Sequence, residues 1–245
     1  MLKTLNSCEM KVNMKKLIKV LLALILLITS NAYAEANKML NNEMNAMLSN
    51  LAGTLEITSS KTSANGQLIG CEIVYGTMIF DNTYSKGSPY FVKGSIGITG
   101  VNKNTSLAGG IKVATYRIYP QNNGDITTKP ERPYFAYLKA ANGVNNVNGY
   151  LDKIDSDNMD GGVFYVYKFD DILVDIVGQM IDKKVISIAF NRRKDGYDVT
   201  VPIDLTVSSV SEKGIREHSN KNINEFSTCY SELLNSVSAN LAKNK

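Results

Sequence analysis

The sequence predicts a β-rich α+β protein in which antiparallel, sandwich-like sheets are accompanied by an N-terminal helix, one internal helix and a C-terminal amphipathic helix. Three observations predict this class. Apolar and polar residues alternate through much of 54–119 and 185–207, which is the period of half-buried strands. Gly, Asn, Asp and Pro separate these runs as turn-formers. Apolar residues recur at helical spacing in 37–52, 170–182 and 222–242.

The beginning of the chain is predicted to be a secretory signal. Three lysines precede an unbroken apolar run at 20–28, and small residues at 32 and 34 complete a cleavage pattern. The run is shorter than the roughly 20 residues that span a bilayer. We therefore predict a signal peptide at 1–34, with Met10 or Met14 as an alternative true start. The mature protein is then periplasmic or secreted and has no transmembrane span.

The positive charge of the chain belongs to this predicted signal. The whole chain has 27 basic and 23 acidic side chains, of which five lysines and one glutamate lie in 1–34, so 22 of each remain. Balanced charge offers no basic face for nucleic acid, and we expect no nucleic-acid partner. Residues 35–245 are expected to form a single β-rich domain, or two subdomains divided near 120–162.

The predicted mature chain opens with a helix and continues as an antiparallel meander. Leu and Met recur on one face of 37–52, and we expect this helix to cap a sheet, because methionine fills core gaps well and no Cys or His lies nearby to support a soft-metal site. The predicted strands start at Thr54 and include Leu68–Phe80, Tyr90–Ile98 and Ile111–Tyr119, with turns at Ser63–Gly66, Lys86–Pro89 and Ala108–Gly110. The strand glycines Gly70, Gly76, Gly94 and Gly97 indicate bulges or close backbone approach.

The segment 120–162 is rich in Asn, Asp, Gly and Pro, which predicts a long connection interrupted by one apolar piece at 134–138. Its acidic run at 152–160 resembles a calcium loop in composition. The spacing fails the EF-hand pattern, so a solvated turn is the better interpretation. We predict no metal ion and no cofactor.

The last third of the chain carries the clearest pattern. A strand at 163–169 precedes the helix 170–182, and a hairpin follows whose second strand, 197–207, alternates strictly between apolar and polar residues. Pro202 in that strand predicts a sheet edge. The final helix, 222–242, carries an apolar stripe.

Two cysteines remain after signal cleavage, Cys71 and Cys229. In an oxidising compartment the simplest interpretation is one disulfide that ties the final helix to a strand, and two separately buried thiols are the alternative.

Catalytic patterns are absent from the sequence. His218 is the only histidine, and no G-x-S-x-G or C-x-x-C motif occurs. We assign no catalytic residue and expect a protein that is not an enzyme. A carboxylate pair remains as the enzymatic alternative, because two carboxyls suffice for glycoside hydrolysis. The candidate pairs are Glu72 with Asp81 and Asp198 with Asp204.

Two features are candidates for an interaction surface. Arg192, Arg193 and Lys194 form a basic hairpin tip beside the turn at 195–196, where a charged, solvated turn is the alternative interpretation. Tyr165 and Tyr167 lie on an all-aromatic strand face, which is either core or, if exposed, a binding surface.

The order of several segments resembles exported proteins related to invasion-associated locus B. The segments are Cys71-Glu72, the helix start Asp170-Asp171-Ile172-Leu173, the strand Lys183–Ile188 and the strand Val199–Leu205. The resemblance implies a small periplasmic β-rich protein without an assigned catalytic activity. This chain differs in lacking tryptophan and in ending with a long cysteine-bearing helix.

Three functions are therefore open. The leading hypothesis is a non-catalytic periplasmic or secreted protein that binds another envelope or secretion component. The alternatives are a carboxylate-dependent hydrolase of envelope polymers and a structural part of a surface or transfer apparatus.

Overall fold

The structure is a computed structural model that describes residues 42–102, 105–121, 125–155 and 160–243. The predicted signal at 1–34 and the first residues of the predicted N-terminal helix lie outside the described residues. No helix in the described part is long and apolar enough to cross a membrane.

The described residues form a β-rich, antiparallel fold with three helices, as the sequence predicts. In chain order the elements are α1 (42–51), β1 (Gly53–Ala64), β2 (Gln67–Asp81), β3 (Ser88–Val101), β4 (Ser106–Pro120), β5 (Ile126–Pro130), β6 (Phe135–Lys139), a short 3-10 turn (Val147–Gly149), β7 (Tyr150–Asp155), β8 (Val163–Lys168), α2 (Asp171–Lys183), β9 (Val185–Asn191), β10 (Val199–Asp204), β11 (Val207–Val210), β12 (Arg216–His218) and α3 (Lys221–Lys243).

The strands form two sheets and a small hairpin. The larger sheet has the order β1-β2-β3-β4-β8-β7, and β5 pairs with the part of β4 that β8 leaves uncovered. The smaller sheet has the order β10-β9-β6, while β11 pairs with β12. Pro202 lies in β10 at the edge of the smaller sheet, which confirms the edge predicted from its missing N–H.

The two sheets bury their facing sides in one core. Strand β10 contacts β1 and β2, and β6 contacts β4 and β8, so the smaller sheet covers one face of the larger sheet. Both α2 and α3 contribute their apolar stripes to the same cluster. Its members include Ile73, Ile96, Ile111, Tyr165, Ile176, Ile188, Val201, Phe226 and Leu233. Residues from both sides of 120–162 therefore share one core.

Helix α1 covers the opposite face of the larger sheet. Leu48 packs with Met78 of β2 and Ile118 of β4 in a second, smaller cluster, which confirms that this helix caps a sheet. Arg216 of β12 fixes the end of α1, because its guanidinium donates to the carbonyls of Leu51 at 3.1 Å and Ala52 at 2.6 Å. A cation on the terminal carbonyls of a helix is favourable.

Three sequence predictions differ from the structure. The turn expected at Ala108–Gly110 lies inside β4, where glycines admit close neighbours: a Cβ at Gly109 would meet Leu173 Cδ2 at 2.3 Å. Segment 120–162 holds β5, β6 and β7 rather than a long connection. Strands β5 and β7 are exposed edge strands, and their residues do not alternate between apolar and polar. Tyr197 is 80% exposed, since β10 begins two residues later than predicted.

The predicted cross-link is present. Cys71 of β2 and Cys229 of α3 form a disulfide with a Cα–Cα distance of 5.9 Å, and both residues are buried. The bond joins positions 158 residues apart and ties α3 to the inner face of the larger sheet.

Reduction of this disulfide should lower the free energy of unfolding by about 5 kcal/mol, because closing so long a loop restricts the unfolded chain. Urea denaturation with and without reductant measures the difference. Thiol labelling of the denatured, unreduced protein should find neither Cys71 nor Cys229 reactive, and two labelled thiols would contradict the assignment.

Among the strand glycines of the described chain, Gly94 leaves the least space for a side chain. Tyr75, paired with Gly94 across β2 and β3, donates its hydroxyl to the Lys112 carbonyl at 3.0 Å. A Cβ on Gly94 would lie 1.8 Å from that carbonyl oxygen and 2.6 Å from the hydroxyl. This confirms a close backbone approach at this position.

Gly94→Ala should therefore destabilise the protein by at least about 3 kcal/mol, since backbone and a buried tyrosine must both move. Gly178→Ala is the matched control. Gly178 lies within α2 with nothing within 4 Å of the new Cβ, so the same change should stabilise by about 0.5 to 1 kcal/mol. Thermal and urea unfolding of the two variants should give opposite signs.

Candidate functional site

Two turns and a strand end meet at one end of the larger sheet. They are the β2–β3 turn at 82–87, the β9–β10 turn at 192–198, and the end of β5 with the residues that follow it, 129–132. Together they form an open cleft of about 490 Å³. Its lining residues are Tyr84, Lys129, Glu131, Arg132, Arg192 and Arg193.

The β2–β3 turn is held by the last residue of β2. Asp81 accepts hydrogen bonds from the backbone N–H groups of Thr83 at 2.8 Å and Tyr84 at 3.0 Å, which is the usual role of an aspartate that opens a turn. Tyr84 then donates its hydroxyl to the carbonyl of Tyr197 in the β9–β10 turn. The two turns are thereby joined across the cleft floor.

Arg192 stands at the centre of the polar cluster beneath the cleft. Its Nη1 donates to the Tyr90 hydroxyl at 2.7 Å and to Ser85 Oγ at 2.9 Å. The same nitrogen lies 3.4 Å from Asp81 Oδ2, and Nη2 forms an ion pair with Glu131. One guanidinium therefore links the β9–β10 turn to the β2–β3 turn, β3 and the segment after β5.

Arg117 of β4 completes the cluster from the other side. Its Nε lies 2.7 Å from the Tyr90 hydroxyl and 3.2 Å from Glu131 Oε1. Tyr90 in turn donates to Glu131. Two guanidinium groups thus face two carboxylates, and such charge-assisted contacts satisfy groups that are largely withdrawn from water. The exposed side-chain fractions are 2% for Asp81, 16% for Glu131, 19% for Arg192 and 24% for Arg117.

Aromatic rings add a second kind of contact to the arginines. The Arg192 guanidinium carbon lies 5.2 Å from the ring centroid of Tyr90 and 5.5 Å from that of Tyr84. Arg193 lies 5.8 Å from the Tyr84 ring centroid. These distances fall within the range of cation–π attraction. The tyrosines therefore restrict the positions of both guanidinium groups.

The rim of the cleft differs from its floor in charge. Lys129 and Arg193 are exposed, and neither has a carboxylate within 4.0 Å among the residues that the structure describes. Arg132 is paired with Asp155, and this guanidinium lowers the pKa of the Asp155 carboxyl. The floor is balanced in charge, so the two unpaired cations make the rim positive.

The three residues of the predicted basic tip have different environments in the structure. Arg192 is mostly buried in the polar cluster, and Arg193 lines the cleft beside it. Lys194 is exposed and does not line this cleft. Of the three predicted residues, Arg193 is therefore the one that presents an unpaired charge to the cleft.

Tyr165 and Tyr167 lie in the core and not on a surface, which corrects their assignment to an interaction surface. Both are fully buried, because the smaller sheet covers the face of β8 to which they belong. The Tyr165 hydroxyl donates to the Pro133 carbonyl at 3.2 Å, and the Tyr167 hydroxyl donates to the Ala136 carbonyl. Burial raises the pKa of both phenols.

The carboxylate pairs considered from the sequence are not brought together. Glu72 and Asp81 are nine residues apart on β2, a separation of about 30 Å. Asp198 directly precedes β10 and lies about 20 Å from Asp204 at the end of that strand. Glycoside hydrolysis requires two carboxyls within roughly 10 Å. These pairs therefore lack the required geometry.

The remaining histidine and the acidic residues form no metal site in the described part of the chain. His218 Nδ1 lies 2.8 Å from Thr206 Oγ1 and 3.7 Å from Asp204 Oδ2 on an exposed surface. No group of three or more His, Cys, Asp or Glu side chains converges among the described residues. Residues 156–159 of the acidic run lie outside that part.

Comparisons with protein-family models, with curated proteins and with solved structures found no match for this chain. The resemblance to exported proteins related to invasion-associated locus B therefore stays a prediction.

Substitutions of the two adjacent arginines should affect stability differently. Arg192→Met should lower the free energy of unfolding by about 3 kcal/mol, because it leaves Asp81 and Glu131 without a guanidinium that both of them contact. Arg193→Met is the matched control and should change stability by no more than about 0.5 kcal/mol, because its charge is exposed. Chemical denaturation of both variants checks this, and equal losses would contradict the assigned role of Arg192.

Proposed function

We propose that the protein is a non-catalytic periplasmic or secreted protein that binds another component of the cell envelope or of secretion, and that the cleft beside Arg192 is its docking site. The observation that carries the proposal is the cleft itself: an open concavity whose rim carries the unpaired cations Lys129 and Arg193 above a floor of hydrogen-bonded polar groups. We expect the partner to present acidic groups, because charge complementarity steers and selects protein partners.

The ordered floor of the cleft lowers the entropic cost of binding a partner at these cations. Arg192, Arg117 and Tyr90 hold one another and Glu131 in place through several hydrogen bonds. A site whose residues are already ordered loses less conformational entropy when the partner docks. The openness of the cleft suits a macromolecular surface better than a small molecule, which a pocket usually encloses.

The polar groups of the floor favour binding over catalysis. Asp81 and Glu131 both converge on Arg192, yet Asp81 does not line the cleft and Glu131 is occupied by two guanidinium groups and a tyrosine hydroxyl. Neither carboxylate is free to contact a substrate as a hydrolase would require. This arrangement supports a binding role.

The disulfide supports the proposed location. A bond such as Cys71–Cys229 forms and persists in oxidising compartments, among them the periplasm and the cell exterior. Together with the signal pattern at 1–34, it favours export.

The test is partner capture with cleft variants. The exported protein should capture a specific envelope or secretion component, and the double variant Lys129→Glu/Arg193→Glu should reduce the captured amount at least about tenfold, because reversed charges repel an acidic partner. Lys168→Glu is the matched control. Lys168 is exposed near the other end of the larger sheet, about 30 Å from the cleft, and its reversal should leave capture unchanged.

Three results would overturn the proposal. Equal capture by the cleft variant and by Lys168→Glu would remove the cleft from the binding surface. Hydrolysis of peptidoglycan or another envelope glycan that is lost in Glu131→Gln would instead establish the hydrolase alternative. Recovery of the chain in cross-linked assemblies that form equally with both charge variants would favour the structural role.

A further inference from the structure

We infer that the partner binds as an extended acidic segment that adds a strand to the free edge of β5, with its carboxylates directed to the cleft rim. This inference rests on the proposed function and specifies how the same site recognises its partner. It follows from the position of β5, from the direction of its backbone groups and from the charges beside it.

Strand β5 is an edge of the larger sheet. It pairs with β4 and with no other strand of the described chain, and Ile126 to Lys129 are exposed. An exposed edge offers unpaired N–H and C=O groups to an incoming strand, and extended peptides commonly bind in this way. The edge lies directly beside the cleft, because Lys129 belongs to both.

The register shows which backbone groups point outward. Gln121 N–H bonds to the Asp125 carbonyl and Glu131 N–H to the Thr115 carbonyl, both at 2.8 Å, so the odd-numbered residues of this segment face β4. The even-numbered residues Ile126, Thr128 and Pro130 therefore turn their backbone groups away from β4. Pro130 has no N–H, so the outward donors of the edge belong to the other two.

The side chains beside this edge favour an acidic strand. Lys129 pairs in register with Arg117, so its side chain lies on the cleft side of β5, where Arg193 also stands. An added strand would place every second side chain on that side, about 7 Å apart. Carboxylates at alternate positions would thus meet Lys129 and Arg193, whereas lysines there would be repelled.

Edge strand β7 does not carry the same inference. Its apolar residues Leu151 and Ile154 are more than half exposed, but its charged residues are mixed in sign and nothing in the structure shows what covers it. Strand β5, in contrast, joins a free edge to unpaired charge of one sign beside the cleft.

A designed peptide tests the inference on the full mature chain. The probe is Thr-Glu-Val-Glu-Val-Glu-Thr with blocked termini, and the control peptide has glutamine in place of glutamate. Calorimetric titration should show that the acidic peptide binds, that the glutamine peptide binds at least about tenfold more weakly, and that affinity falls as salt is added.

Thr128→Pro separates edge pairing from charge. Proline removes an outward N–H without changing any cleft charge and is tolerated on an edge strand, so affinity for the acidic peptide should fall about tenfold. Thr128→Val is the matched control, because it keeps the N–H, and its affinity should stay within about twofold of the unaltered protein. Circular dichroism checks that both variants fold.

Equal peptide affinity in Thr128→Pro and Thr128→Val would overturn strand addition. If strand addition is overturned in this way but Lys129→Glu/Arg193→Glu still fails to capture the partner, the proposed docking site stands and only the strand-addition mode of binding is wrong. Binding of an anionic polysaccharide such as heparin in place of the peptide would also overturn the inference. If Thr128→Pro fails to fold, an acidic peptide N-methylated at alternate amides replaces it, and undiminished binding of that peptide is the overturning result.

Discussion

The fold depends on burial of one face of the larger sheet. Its inner side chains, such as Ile73, Ile96 and Ile111, reach the core only because the smaller sheet and α3 close over them. The Cys71–Cys229 bond joins the two layers covalently at one point. Burial of apolar area is the main stabilising contribution in such a layered fold, and the disulfide restricts the unfolded chain in addition.

The same closure creates the candidate site. Strand β9 runs beneath the larger sheet and ends at Asn191, and the packing brings the next residue, Arg192, to Tyr90 and Glu131. The core therefore ends in a layer of paired charges rather than in exposed apolar residues. Each group in that layer has a partner, so it orders the cleft floor and leaves the unpaired cations, including Arg193, at the rim. The proposed recognition of an acidic partner rests on this separation of floor and rim.

Much of the fold could be predicted from local patterns. Alternation located the meander and the final hairpin, and helical spacing located α2 and α3, because each of these elements has one buried and one wet face. Edge strands β5 and β7 escaped prediction, since an exposed strand has no apolar face to reveal it. The glycines at 109 and 110 predicted a turn that the structure does not have. A side chain is excluded at these positions because Leu173 and Phe164, which are distant in sequence, approach the backbone there.

The sequence by itself determined the β-rich class, the three helices and the cysteine pair, all of which depend on periodicity or on residue type. Tertiary structure alone decided the site, because its residues come from four separate segments. One signal was present: Asp81 and Arg117 continue the phase of inward residues such as Ile73, Tyr75, Ile111 and Val113, which are buried, so a charge there had to meet a partner. Which partner each charge meets depends on how the two sheets pack, and no local pattern encodes that.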